Sequence, residues 1–107
     1  MKPDRVLSML GIAAKAGSVA SGEFSTEKAV KEGRAYLVIV AQDASDNTKK
    51  MFRNMTDFYQ VPMYEYSDKE MLGHFIGKEF RASLAVTDGG FAKGIMKHLE
   101  AENNIIA

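Results

Sequence analysis

The chain has 107 residues, of which 46% are hydrophobic and 26% are charged, values typical of one compact globular domain that folds without disulfides or structural zinc. Because it contains no cysteine, the sequence excludes thiol catalysis and favours a reducing, cytoplasmic compartment. Its 14 Lys and Arg residues balance its 14 Asp and Glu residues, and this zero net charge argues against diffuse binding to polyanions, so any nucleic-acid site must be a local patch.

The first part of the chain predicts two helices joined by a short strand. Apolar residues recur at helical spacing through residues 4–15. Residues 18–21 are a short strand candidate of mixed polar and apolar residues, after which Gly22 frees the backbone for a turn. We expect the second helix to begin with Ser25 as its N-cap and to run to about Glu32.

The most apolar segment of the chain is formed by residues 36–41, which are uniformly apolar and rich in β-branched side chains. This composition is typical of a central strand that is covered on both faces. The segment is the longest apolar run in the sequence and is far shorter than the roughly 20 residues that span a bilayer. We therefore expect a buried central strand and no membrane helix.

A third helix follows, for which Asp43, Ala44 and Ser45 supply capping groups. Its apolar side chains recur at helical spacing at Met51, Phe52, Met55, Phe58 and Tyr59. Residues 63–66 predict the next strand. Helices and strands thus continue to alternate beyond the middle of the chain.

The last part of the chain predicts two more helices and a fourth strand. Ser67 and Glu70 have the spacing of a capping box and would open a short helix that ends at Gly77. Residues 83–87 form the last strand, and Asp88 caps the final helix. Strands that alternate with helices of this length indicate an α/β layered domain with helices on both faces of a four-stranded sheet.

A candidate anion site lies at the turn before the second helix. Gly22 leads the chain onto a helix start, and Lys28 follows one turn inside. Free amides at a helix N-terminus together with a cation attract phosphate. The alternative is an ordinary turn followed by a solvated lysine face. Phe24 could stack on an unpaired base, or it could pack against the start of its own helix.

A second candidate site consists of the carboxylates Asp43 and Asp88, each of which directly follows a predicted strand. The carboxyl ends of parallel strands are where α/β folds place metal and phosphate chemistry, and Lys93 could assist there. The alternative is that both acids cap helices. His74 and His98 have no partners at metal-ligand spacing. We therefore expect no catalytic site, no metal and no cofactor.

A series of motifs in a fixed order covers nearly the whole chain. The motifs occupy residues 10–17, 21–30, 33–35, 37–45, 48–50, 61–62, 72–73, 76–78 and 85–93. The full ordered set resembles the kink-turn-binding ribosomal-protein superfamily of the large-subunit seven-Ae type, and within it the bacterial YlxQ-like proteins. Each motif alone is unspecific, whereas their order is distinctive.

The resemblance implies a three-layer α/β/α sandwich with a mixed four-stranded sheet, whose first strand is antiparallel to its neighbour. It implies recognition of a kink-turn, a sharply bent RNA internal loop with tandem sheared G·A pairs, or of a related structured RNA. Two converging loops, residues 22–28 and 81–83, would contact that RNA. We expect one RNA-binding domain over residues 1–107, which is non-enzymatic, monomeric, cytoplasmic and associated with the ribosome or translation.

The residues expected to bind RNA combine this resemblance with the cations nearby. They are Lys15, Gly22, Phe24, Ser25, Lys28, Lys31, Arg34, Arg81, Ala82 and Ser83. The sequence departs from the resembled family at one important place. Strong kink-turn binders carry an Asn-Glu pair for the sheared guanines, and the matching positions here are Phe24 and Ser25. An aromatic ring and a hydroxyl group cannot make the same hydrogen bonds.

Two other functions remain open from the sequence. One is a small phosphate- or metal-dependent enzyme that uses Asp43, Asp88 and Lys93. The other is a protein-interaction module that has kept the fold and lost RNA binding, as the substitution at Phe24 and Ser25 would allow. In the resembled fold we expect the RNA-contacting loops at one end of the sheet and the turns of Asp43 and Asp88 at the other.

Overall fold

The computed structural model describes the backbone of residues 4–106 and the side chains of residues 4–102. Within this range every predicted helix and strand is present. In chain order they are α1 (Arg5–Lys15), β1 (Val19–Ser21), α2 (Glu23–Lys31), β2 (Leu37–Val40), α3 (Asp46–Tyr59), β3 (Met63–Glu65), α4 (Lys69–Phe75), β4 (Ser83–Val86) and α5 (Gly89–Ile106).

The four strands form one mixed sheet in the order β1-β4-β2-β3. β4 is antiparallel to both β1 and β2, whereas β2 and β3 are parallel. In this register Ser21, the last residue of β1, lies opposite Leu84, and Val40, the last residue of β2, lies opposite Ser83. β1 and β2 therefore end where β4 begins, and we name this side of the sheet the Ser83 end. The side where β4 finishes is the Val86 end.

Helices cover both faces of the sheet. α1 packs against α4 and α5, whereas α2 packs against α3. All residues of β2 and β4 are buried, as are Leu10 of α1, Phe52 of α3 and Ile95 of α5. The three-layer α/β/α sandwich and the buried central strand are thereby confirmed. No helix in residues 4–106 combines the length and the apolar character needed to cross a membrane.

Two of the predicted helix caps are correct. The hydroxyl of Ser45 accepts a hydrogen bond from the Thr48 amide at 3.1 Å, at the start of α3. A carboxylate oxygen of Asp88 accepts one from the Phe91 amide at 2.9 Å, at the start of α5. In both cases a side chain satisfies one of the first amides of a helix, as capping residues do.

Two other predicted caps are wrong. α4 is capped by Asp68, which accepts a hydrogen bond from the Met71 amide at 2.8 Å. The Ser67 carbonyl instead accepts from the Gln42 amide, which fixes Ser67 outside the helix. α2 begins three residues earlier than it would with Ser25 as its N-cap, because Gly22 is its N-cap. Gly22 has a φ angle of +93°, which glycine adopts without strain, so the chain turns directly from strand to helix.

We expect Ile39→Ala to lower the free energy of unfolding by about 1 to 4 kcal/mol, because it leaves a cavity in the central strand. The matched control is Ile12→Ala, whose side chain is 58% exposed on α1 and whose removal should change stability by no more than about 0.5 kcal/mol. Chemical denaturation measures both variants. Equal stability of the two variants would contradict the placement of β2 in the core.

Candidate nucleic-acid interface

The turn from β1 into α2 is built around Gly22. Its amide donates to the Ser83 carbonyl at 2.9 Å, which continues the pairing of β1 with β4 by one residue. α2 starts immediately afterwards, and no side chain caps it. The first amides of the helix therefore present partial positive charge to solvent. Glu23 places a carboxylate in the same turn and offsets part of that attraction for anions.

The loop that leads from α4 to β4, residues 76–82, is fixed along its backbone. The Lys78 amide donates to the Gly73 carbonyl at 2.7 Å, and the Arg81 amide donates to the Lys69 carbonyl at 3.0 Å. The Ala82 carbonyl accepts from the Ala41 amide at 2.9 Å. The loop thus runs back along α4 and finishes beside the end of β2. Only a glycine fits at position 73, since a Cβ atom there would lie 1.7 Å from the Glu79 carbonyl oxygen.

The two loops meet at the Ser83 end of the sheet, as the resemblance implies. Besides the backbone bond from Gly22 to Ser83, the Arg81 Nε donates to the Ser21 hydroxyl at 3.1 Å. The Ser83 hydroxyl donates to the Thr26 hydroxyl at 3.2 Å, and both side chains are fully buried. Ser83 therefore holds α2 against β4 from the interior and does not present its side chain at the surface.

Two open grooves cover this junction. The β1 groove, of about 450 Å³, follows β1 at the edge of the sheet and is lined by four cations, namely Lys28, Arg34, Lys78 and Arg81. The turn groove, of about 370 Å³, lies over Gly22 and Ala82. Both grooves are lined by Phe24, Ser25 and Arg81. We name the two grooves together the candidate surface.

Two aromatic rings stand exposed on the candidate surface. Phe24 is 76% exposed and Phe80 is 63% exposed, and both line the turn groove. Such exposure excludes the interpretation that Phe24 mainly packs against its own helix. Phe80 and Lys78 are the two residues that the sequence interpretation missed. The available signal was an aromatic residue in a loop, outside any helix or strand that could bury it.

The cations on and next to the candidate surface differ in how far carboxylates neutralise them. Lys31 lies 2.8 Å from Glu27, and this hydrogen bond, together with the negative charge of Glu27, raises the Lys31 pKa above its ordinary value. Arg34 lies 2.9 Å from Glu32. Three further cations, Lys28, Lys78 and Arg81, form no salt bridge with the described residues. These three carry the uncompensated positive charge of the surface.

Lys15 lies elsewhere. It is the last residue of α1, and the chain then enters β1 at the Val86 end, where the Ser18 carbonyl accepts from the Thr87 amide at 2.8 Å. Gly22 is at the opposite end of the same strand. The structure therefore brings most of the expected residues to the candidate surface, with Ser83 beneath it. It does not bring Lys15 there, and Lys31 lines neither groove but lies beside Lys28 on α2.

The carboxylates Asp43 and Asp88 are not brought together. Because β2 and β4 are antiparallel, Asp43 follows β2 at the Ser83 end, and Asp88 follows β4 at the Val86 end. The expectation that both turns lie away from the RNA-contacting loops is wrong for Asp43. A carboxylate oxygen of Asp43 accepts from the Lys69 amide at 2.9 Å, and Asp88 caps α5. The described residues contain no cluster of three metal-ligating side chains.

Comparison with known proteins gives consistent results over most of the chain. The family model described as "Ribosomal protein L7Ae/L30e/S12e/Gadd45 family" matches residues 4–96. A Bacillus subtilis protein named RNA-binding protein YlxQ is 40% identical over 92 residues, which are 86% of this chain and 92% of the relative. Large ribosomal subunit protein eL30 of Methanosphaerula palustris is 35% identical over 73% of this chain and 80% of its own length.

Solved structures confirm the fold. A protein of unknown function from Bacillus halodurans superimposes with a TM-score of 0.89 at 36% sequence identity. The alignment covers 92% of this chain and 99% of that protein. The arrangement of helices and strands described above is therefore shared with a solved structure over nearly its entire length.

We expect Gly73→Ala to lower the free energy of unfolding by about 2 kcal/mol or more, because the added methyl group collides with the backbone of the loop that carries Arg81. The matched control is Gly89→Ala at the start of α5, where the nearest atom would lie at an ordinary 3.5 Å. Thermal or chemical denaturation compares the two variants. A Gly73→Ala protein as stable as the control would show that the loop does not rest on α4.

Proposed function

Because the chain belongs to the ribosomal protein L7Ae/L30e/S12e/Gadd45 family, we propose that it is a non-enzymatic RNA-binding protein that acts with the ribosome or in translation. One observation carries the proposal. Two loops converge at the Ser83 end of the sheet and place three uncompensated cations and two exposed aromatic rings along two adjoining grooves. The relatives, an RNA-binding protein and a ribosomal protein by name, support the same assignment.

The chemistry of the candidate surface suits RNA that contains unpaired bases. Lys28 and Lys78 line the β1 groove and can bind phosphates as point charges. Phe24 and Phe80 offer ring faces on which splayed bases can stack, and base stacking on aromatic side chains is a common mode of RNA recognition. Such a surface can bind RNA although the net charge of the whole chain is zero, because its cations are concentrated in one place.

The proposed ligand is a structured RNA with a kink-turn or a related internal loop, with ribosomal RNA among the candidates. Phe24 and Ser25 occupy the first turn of α2 at the surface, where the resembled family carries Asn and Glu. We propose that stacking on Phe24 replaces part of the hydrogen bonding that those residues would make. In this proposal the chain acts in the cytoplasm as a monomer, with residues 1–107 forming one RNA-binding domain and no cofactor.

The structure does not favour the enzyme alternative. Its premise was that Asp43 and Asp88 share one end of the sheet, and they lie at opposite ends, each accepting a hydrogen bond from a backbone amide. The interaction-module alternative makes a different experimental prediction. A module that has lost RNA recognition would leave the candidate surface without any RNA ligand.

The proposed function is tested by crosslinking the protein to RNA in cells and sequencing the bound fragments. We expect enrichment of a few structured RNAs, with crosslinks at Phe24 or Phe80. A matched control is Lys28→Glu, which reverses one charge of the β1 groove and should reduce the enrichment. Recovery of the same unselective RNA from both proteins would contradict the proposal and favour the interaction module.

We expect Lys28→Ala to weaken RNA binding and to flatten the log-log salt dependence by up to about one unit, because it removes one phosphate contact. Lys31→Ala should have a smaller effect, since Glu27 already neutralises Lys31 in part. Lys97→Ala is the control, because Lys97 is exposed on α5 and lines neither groove of the candidate surface. Titrations at several salt concentrations measure all three. Equal slopes for Lys28→Ala and Lys97→Ala would remove Lys28 from the interface.

Phe24→Asn combined with Ser25→Glu should raise the affinity for a standard kink-turn, because it restores the hydrogen-bonding pair of the resembled family.

Phe24→Ala alone should weaken binding to the protein's own RNA by roughly 1 to 3 kcal/mol with little change in salt slope, as expected for a lost stacking contact. Gel-shift or calorimetric titration measures both. If neither the native protein nor the double variant binds structured RNA at low salt, the assignment of the surface is wrong.

A further inference from the structure

The side chain of Arg81 is held in a fixed position although it lies at the surface. Its backbone amide donates to the Lys69 carbonyl at 3.0 Å. Its Nε donates to the Ser21 hydroxyl at 3.1 Å, and its Nη1 donates to the Phe80 carbonyl at 2.8 Å. Ser21 itself is fixed, because it is the last residue of β1 and pairs with Leu84 of β4. The orientation of the guanidinium plane is therefore set by the sheet.

The anchored guanidinium still has N–H donors that are not used within the protein. A guanidinium carries five N–H donors. Ser21 and Phe80 occupy two of these donors, so three remain on the two terminal nitrogens. Arg81 forms no salt bridge with the described residues, and it lines both the β1 groove and the turn groove. The free donors thus belong to a fixed cation at the place where the two grooves meet.

We propose that Ser21 is a positioning residue for Arg81, and that the anchored Arg81 recognises the O6 and N7 atoms of an unpaired guanine. The second part rests on the RNA binding proposed above. Guanine is the base that presents two acceptors, O6 and N7, side by side on its major-groove edge. The guanidinium group of an arginine can donate two parallel hydrogen bonds to these two atoms. Adenine offers one acceptor and one donor there, and a pyrimidine lacks N7.

The surroundings of Arg81 favour a base over a phosphate as its ligand. Phe24 and Phe80 line the same turn groove as Arg81, so a base that stacks on either ring brings its edge near the guanidinium. Phosphates have other partners in the β1 groove, since Lys28 and Lys78 are free cations there. Arg81 therefore supplies, from the loop before β4, hydrogen bonds to a base that Phe24 and Ser25 at the start of α2 do not supply.

The positioning role is tested without RNA. In NMR spectra of the free protein the Arg81 Nε–H signal should be protected from solvent exchange. Ser21→Ala should accelerate its exchange at least several-fold, and Ser21→Thr, which keeps the hydroxyl, should retain the protection. Thermal denaturation establishes that both variants fold. Unchanged exchange in a folded Ser21→Ala protein would overturn the positioning role.

The recognition of guanine is tested with a synthetic kink-turn RNA that has one guanine among its bulged nucleotides. Matched RNAs carry adenine or 7-deazaguanine at that position, and 7-deazaguanine lacks the N7 acceptor. The native protein should bind the guanine RNA about 5- to 150-fold more tightly than either matched RNA, which is the range expected for one bidentate pair. Arg81→Lys should bind all three RNAs with similar affinity while keeping the native salt dependence.

The same titrations separate the competing explanations. Ser21→Ala should lower the discrimination in the native background and have no further effect when combined with Arg81→Lys, because the two residues act as a unit. Native binding that is independent of the base would show that Arg81 contacts only phosphate, which overturns the guanine assignment and leaves the proposed function intact. Absence of binding to every RNA would overturn both, whereas the NMR experiment would still decide the role of Ser21.

Discussion

The candidate surface depends on the start of β4, where Ser83 connects both loops to the sheet. Its carbonyl accepts the Gly22 amide, its backbone lies opposite Val40, and its hydroxyl donates to Thr26 in the interior. A buried hydroxyl without a partner costs about 1 to 3 kcal/mol, so Ser83 and Thr26 stabilise each other's burial. The start of α2 consequently cannot shift along β4 without breaking this pair. The spacing between Phe24 and Arg81 follows from that constraint.

The fold was predictable from the sequence because the hydrophobic pattern carries most of the information about which elements form. The uniformly apolar segment around Ile39 and the helical stripe around Phe52 needed no tertiary knowledge. Helix starts were less predictable, since several residues in a row could serve as caps. At α2 the choice between Gly22 and Ser25 was decided by a hydrogen bond to Ser83, which lies far away in the sequence. Ser67 was likewise excluded by a bond from Gln42.

The candidate site was predictable only in part, because its parts come from distant segments. Gly22 and Lys28 have a local signature, whereas their proximity to Arg81 followed from the strand order that the resemblance implied. Phe80 was missed because loop residues have no periodicity to reveal them. The error at Asp43 arose from treating β2 and β4 as parallel, and one antiparallel pairing places Asp43 and Asp88 at opposite ends of the sheet. Local pattern identifies capping residues and cations, but only strand direction decides which of them meet.

The balance of charge is consistent with the proposal that the candidate surface recognises RNA through exposed rings and fixed hydrogen-bond donors. Lys31 and Arg34 are each paired with a nearby glutamate, and Glu23 lies at the helix start itself. Few cations remain to attract a phosphate backbone, and attraction to phosphate carries no sequence information. Selectivity in such a surface must come from groups that distinguish bases, namely exposed rings and oriented hydrogen-bond donors. An arginine anchored to the sheet keeps its donors oriented in the free protein, so the proposed recognition would need little further ordering of this side chain when RNA binds.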